Sequence, residues 1–224
     1  MKLLIVAATN EEINPLLLWI EHFPNQHKNL HIDILTTGIG MVNTALQMGN
    51  ILAWDQYDLA INCGIAGSFV DKFKNGTVVR ITNDCFADFG VMDKKRFKTF
   101  FETGMIPKND FPFTNGKLIP AKSTLTKTLK KLKTAKAVTV NTVSGNVDEI
   151  KKLKTKFKCE TESLEGAAFF QACIQNDLPC QQIRSISNKV KSRNKKDWDI
   201  PLAVSNLNHT MIEVLKDLNE RVRN

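Results

Sequence analysis

What this 224-residue chain lacks narrows its chemistry before any motif is read. No apolar run approaches the ~18 to 20 residues that a membrane span requires. The opening "MKLLIVAATNEE" runs into carboxylates where a signal peptide would need a longer apolar stretch and a cleavage site, so a cytoplasmic protein without a membrane partner is expected. Cysteine is scarce and unpaired in pattern. Cys63, Cys85, Cys159, Cys173 and Cys180 are odd in number and lack the close spacings of a zinc site or redox motif, which reads as reduced, buried thiols. The four histidines, His22, His27, His31 and His209, show no His-Glu-x-x-His spacing, and "VSGN" is not a nucleophile elbow. No metal, no cofactor and no Ser/His pair are therefore expected. "GIGMVN" (38 to 43) has Asn43 where a dinucleotide fingerprint needs its third glycine, and no P-loop lysine is present. A tight strand-to-helix turn accounts for it.

Aromatic residues are also thin where the charge is dense. The net charge of +8 comes largely from "KSTLTKTLKKLKTAK" (122 to 136) and "IKKLKTKFK" (150 to 158). Leu125, Leu129 and Leu132 fall at helical spacing there, with lysines on the remaining faces. Lysine without interleaved arginine or aromatic side chains reads as a solvated face, and no nucleic-acid partner is expected.

What is present is alternation. Strand-like runs recur at 3 to 9, 31 to 38, 58 to 64, 77 to 86, 137 to 143 and 180 to 187. Helical patterns occupy 11 to 22, 41 to 54, 122 to 133, 164 to 176 and 201 to 219. The order predicts an α/β fold with a largely parallel sheet. With 42% hydrophobic residues over this length, one domain spanning 1 to 224 is expected. Residues 88 to 121, rich in Phe, Pro and Gly, read as a long excursion that either covers a site or runs over the surface.

Polar groups end apolar elements in three places: Glu11 and Glu12 after the first strand, Glu162 and Glu165 at the mouth of a helix, and Arg184, Ser187 and Asn188 on the last strand. Strand ends are where α/β proteins meet ligands. Each group alone also has a structural account, since acids favour a helix's first turn.

Together, "AATNEEINPL", "TTGIGMVNTA", "LAINCGIAGSF", "ESLEGAAFFQAC" and "IRSISNKV" resemble, in order, the signatures of the purine nucleoside phosphorylase and nucleosidase superfamily. Within it, "SLEGAAF" and "NKKDWDIPLAVSNLN" look most like the futalosine hydrolases, enzymes of an alternative menaquinone pathway. The resemblance implies a single α/β domain with a central twisted, mixed, partly barrel-like sheet flanked by helices. It implies that Glu12 activates water, that Glu165 accepts hydrogen bonds from the ribose hydroxyls, and that Arg184 helps hold the water-activating carboxylate. Ser187 would support Asn188 at the purine, and Ile65, Ala66, Gly67 and Leu164 would line base and ribose. A purine nucleoside is the implied partner, and a homo-oligomer, a dimer first, the implied assembly. A phosphorylase needs cations and a glycine-rich loop for phosphate after the first strand. This chain has "TNEE" there, which favours water. Adenine-releasing nucleosidases carry an aspartic acid at the position of Asn188. A 6-oxopurine offers acceptors at O6 and N7, so an amide donor there favours hypoxanthine over adenine. An adenine-releasing nucleosidase and a non-catalytic nucleoside-binding protein are the alternatives.

Overall fold

The computed structural model describes residues 1–121, 125–192 and 195–223. In chain order its elements begin β1 (Lys2–Ala7), α1 (Asn10–His22), β2 (His31–Thr36), α2 (Met41–Trp54), β3 (Leu59–Ser68) and β4 (Val78–Asn83). A hairpin, β5 (Gly90–Asp93) and β6 (Arg96–Thr99), and a single turn, α3 (Phe100–Thr103), follow. Then come α4 (Lys127–Lys131), β7 (Lys133–Thr139), α5 (Val147–Phe157), β8 (Thr161–Ser163), α6 (Gly166–Gln175), β9 (Cys180–Lys189) and α7 (Ile200–Arg223).

Strand β1 shows how the interior is divided. Its side chains alternate between two faces, and both faces are covered, as its continuous apolar run requires. Leu4 and Val6 join Met48 of α2 and Phe169, Phe170 and Cys173 of α6. Leu3, Ile5 and Ala7 join Ile13 and Leu16 of α1 and Leu207, Met211 and Val214 of α7. Each of the fully buried Leu, Ile, Val, Met and Phe side chains contributes about 1.5 to 3 kcal/mol of transfer free energy.

The seven-stranded sheet runs β2-β1-β3-β8-β7-β4-β9, and β9 returns to pair with β3. Five strands thus close into a barrel with β1 and β2 as an open extension, so the fold is a mixed α/β sheet partly closed as a barrel and flanked by helices. β1–β2, β1–β3, β3–β9, β4–β7 and β7–β8 are parallel. β3–β8 and β4–β9 are antiparallel. Closure depends on β3 and β9, each ten residues long, because β3 pairs β1 with its first half and β8 with its second.

One expectation needs correction, and two stretches carry elements that the sequence reading left unassigned. The helix expected over 122 to 133 exists only as Lys127–Lys131, because Lys133 already pairs with Val79 and starts β7 four residues before the expected strand. Residues 122–124 of that expectation lie outside the described residues. The lysine-rich run at 150 to 158 lies in a helix, α5, whose Asn146 side chain accepts from Asp148 N and Glu149 N. Ile150, Leu153 and Phe157 fix its inner face. The excursion at 88 to 121 carries the hairpin and Phe89, Phe100, Phe101 and Phe113, which cluster with Phe86 just before it. The five cysteines are free and buried. Among the described residues no helix is long and apolar enough to cross a membrane.

Candidate active site

A cavity of about 380 Å³ opens beyond the ends of β1, β3 and β9, a size suited to a small organic ligand. Its walls include Glu12, Ile65, Ala66, Gly67, Leu164, Glu165, Ser187 and Asn188. These stretches, as much as 176 residues apart in sequence, meet because β3 lies between β1 and β9.

Glu12 stands in the first turn of α1 and spans two elements. Its Oε2 accepts from Thr9 N at 3.3 Å, and its Oε1 from Ile65 N at 2.9 Å. The approach to β3 requires Gly64: a Cβ there would lie 2.9 Å from Oε1. Burial raises the Glu12 carboxyl above the ordinary carboxylate range. The Ile65 N–H and the charge of Arg184 pull it back down, and the charge of Glu165 pushes it further up.

Arg184 is the exception among the expected site residues, because it does not line the cavity. It is 1% exposed, and its guanidinium bonds the Asn62 side chain and the Ile183 carbonyl behind the wall. From there it acts on Glu12 through charge.

Glu165 occupies the N-cap position of α6, yet its side chain makes no capping bond to that helix. Its Oε1 instead accepts from Gly40 N at 3.0 Å. Gly38 and Gly40 have φ of +83° and +97°, which L side chains rarely adopt, so "GIGMVN" is the turn that carries this N–H to the cavity.

Asn188 and Ser187 sit at a bulge. Ala66 pairs with Ile186 and Gly67 with Asn188, leaving Ser187 as the extra residue of β9. Bulges re-aim side chains near sites. The Ser187 hydroxyl donates to Asn188 Oδ1 at 2.8 Å and the NH2 donates to the Lys189 carbonyl at 3.2 Å, which fixes the amide and leaves its second N–H for a ligand. Gly67 leaves room beside it, since a Cβ would come within 2.6 Å of Val190.

The cavity also uses residues to which the sequence assigned no role. Trp198, Ile200 and Val204 close one side, and Val143 and Ser144 another. Trp198 lies within a stretch read only as a family likeness. Glu162 was visible as a polar end of an apolar element. Its carboxylate is buried, accepts from Ser144 N at 3.0 Å and bonds the Ser144 hydroxyl, and burial raises its pKa. Nothing from 88 to 121 is among the cavity's described lining residues. Among the described residues no group of three or more His, Cys, Asp or Glu could hold a metal ion.

A tie missed in the sequence anchors α1. Asn208 of α7 is 2% exposed and bridges the helix ladder, donating to Glu12 O at 2.8 Å and accepting from Leu16 N at 2.9 Å. The signal for it was Pro15, which weakens the ladder just there, and an Asn within the apolar face of a helix.

Comparison with known proteins agrees with this architecture. The futalosine hydrolase of Thermus thermophilus is 28% identical over 82% of this chain and 80% of its own length. The 5'-methylthioadenosine/S-adenosylhomocysteine nucleosidase of Buchnera aphidicola is 26% identical over 100% of this chain and 88% of its own. The native structure of futalosine hydrolase from Helicobacter pylori, 18% identical, has the same fold, with a TM-score of 0.74 over 99% of this chain and 98% of that one. The family model of the Phosphorylase superfamily matches residues 2–218, and the chain belongs to that superfamily.

Proposed function

We propose that this protein is a purine nucleoside N-ribosyl hydrolase whose substrate is futalosine, releasing hypoxanthine. The observation that carries hydrolysis is the charge of the cavity wall. Its described lining includes Glu11, Glu12, Glu162 and Glu165 and not one Lys, Arg or His. A phosphate dianion bound beneath the sugar would meet carboxylates and no cation, whereas water needs a carboxylate acceptor.

In this reading Glu12 takes a proton from the water as its oxygen bonds to C1′. The bond from C1′ to N9 breaks and its electron pair leaves with the purine. Glu165 accepts hydrogen bonds from the ribose hydroxyls and stabilises the positive charge that the sugar develops. The Asn188 amide, held by Ser187 and the Lys189 carbonyl, donates its second N–H to O6 or N7 of the departing hypoxanthine, which delocalises the incoming charge. The relation to a futalosine hydrolase at 28% identity supports the substrate. Adenine release is the second reading, favoured by the match to a nucleosidase over the whole chain, but a donor at position 188 opposes the 6-amino group.

The protein is further proposed to act as a homo-oligomer, because Ile39, Val42 and Leu46 on and before α2 are each more than half exposed. Light scattering that shows only a monomer removes this part.

Purified protein is to be offered futalosine, aminodeoxyfutalosine, methylthioadenosine and inosine, with and without phosphate. Phosphate-independent release of hypoxanthine, fastest from futalosine, is the expected result. Adenine release dominating the panel supports the second reading, and a strict need for phosphate overturns hydrolysis.

A further inference from the structure

Helix α6 poses a conflict that the fold resolves from outside. The residue at its N-cap is Glu165, and a side chain there normally bonds the N–H groups of the first turn. Glu165 cannot do this while its carboxylate faces the cavity and holds Gly40 N, and it makes no such bond. The amide of Ala167 is nevertheless satisfied. It donates to Thr139 Oγ1, at the end of β7, at 2.8 Å.

That hydroxyl is itself oriented. Thr139 Oγ1 donates to Asp84 Oδ1 at 3.1 Å, so its lone pairs are left to face Ala167 N. Asp84 is fully buried and also accepts from Cys85 N at 2.8 Å and Gln182 Nε2 at 3.1 Å. Its carboxylate lies against the start of α6, where the helix dipole favours negative charge. A Cβ on Gly166 would fall 2.4 Å from Asp84 Oδ2 and 1.9 Å from Gln182 Nε2, so glycine at 166 is what lets the helix begin on this acid.

We infer that Thr139 and Asp84 are positioning residues that cap α6 in place of its own N-cap, leaving Glu165 free to face the nucleoside. The inference rests on the ribose role proposed for Glu165. Neither residue lines the cavity. Their effect on turnover passes through the placement of one carboxylate.

The test uses the full chain. Thr139→Val keeps the shape and removes the oxygen, whereas Thr139→Ser retains it. Thr139→Val should lower kcat/KM for the nucleoside at least about tenfold while the Kd for free hypoxanthine stays within about twofold, because misplacement by ~1 Å at a reacting centre is costly. Thr139→Ser should restore most of the activity. Turnover equal to wild type in the valine variant, base binding lost in step with turnover, or no rescue by serine would each overturn the inference.

If the valine variant does not fold, Asp84→Asn decides. Its amide oxygen still accepts from Thr139 and Cys85, and its NH2 faces Gln182, whose Oε1 has no partner and is free to accept once that side chain turns over. Burial pushes the Asp84 carboxyl up to about 7, so the variant is assayed at about pH 8, where wild type is charged and the substitution removes that charge from the helix end. A fall in kcat with hypoxanthine affinity unchanged supports the inference, and an unchanged kcat sinks it. Wild-type protein that releases no base from any nucleoside defeats the functional reading instead. The capping is then read from crystals of Thr139→Val or, where that variant does not fold, of Asp84→Asn. Glu165 displaced from Gly40 N supports it, and Glu165 left in place refutes it.

Discussion

Helices α1 and α6 both open on a glutamate at the same cavity, and they hold it in opposite ways. Glu12 lies inside the first turn of α1 and bonds Thr9 N, so the catalytic candidate also closes its own helix end. Glu165 stands at the N-cap of α6, and its side chain gives that helix no bond. A helix-dipole account suffices for the position of Glu12. It fails for Glu165, whose helix is capped by Thr139 from another strand. A side chain relieved of the structural task that its position implies is a stronger sign of function than one that performs it.

Breaking the comparison begins with the larger effect. Glu12→Gln removes the proton acceptor but keeps one oxygen for Ile65 N, so kcat should fall by at least ~10²-fold while substrate still binds. Single-turnover rates and a binding isotherm check both halves, and unchanged turnover removes Glu12 from the chemistry.

Glu165→Gln should act on the sugar alone. A hydrogen bond to a charged group amounts to roughly 1.5 to 3 kcal/mol. About that much should be lost from transition-state stabilisation of the riboside, with free hypoxanthine bound as before. If both fall equally, Glu165 shapes the whole cavity and the contrast with Glu12 dissolves.

A third polar group, the neutral one, sharpens the contrast. In Asn188→Asp, Ser187 still donates to one oxygen, and the other replaces the NH2, so the donor is lost both to the purine and to the Lys189 carbonyl. Futalosine hydrolysis should lose about 1 to 3 kcal/mol, and kcat/KM for the 6-amino substrate aminodeoxyfutalosine should rise relative to it. A ratio that stays put means Asn188 does not choose the purine.

The legible parts of this molecule were those written locally. The turn at 38 to 43 and helix α2 over Met41–Trp54 follow from glycine placement and apolar period. The acids at the starts of α1 and α6 were visible, and so was the amide that ends β9. Barrel closure was legible through the family resemblance alone, because it depends on Gly67 pairing with both Glu162 and Asn188, contacts that no local period encodes. The early start of β7 was hidden for the same reason, since pairing with β4 overrides the leucine spacing at 125 to 132. Arg184 was legible as a strand residue near the site. That its side chain lies behind the wall follows from Asn62 and Gly64, residues with no outward mark in the sequence.

The smallest expected effect tests whether the two glutamates feel each other. As a general base Glu12 must be ionised, so kcat/KM should decline as pH falls through its pKa. Burial raises that pKa, so the acid limb should lie above the ordinary carboxylate range. Glu165 contributes to the rise through its negative charge. Replacing it by glutamine removes a charge that opposes ionisation of Glu12, and the folded enzyme should then release that proton at lower pH. The acid limb of kcat/KM in Glu165→Gln should accordingly move downward, though the plateau is reduced. The charge of Arg184 acts in the reverse sense, holding Glu12 down, so neutralising it should move the limb up. Profiles at low ionic strength for wild type and Glu165→Gln make the comparison. A limb that stays in place, or moves up, would mean that the group titrating is not Glu12 or that Glu165 lies electrostatically apart from it, and the two helix starts would have to be treated as independent sites.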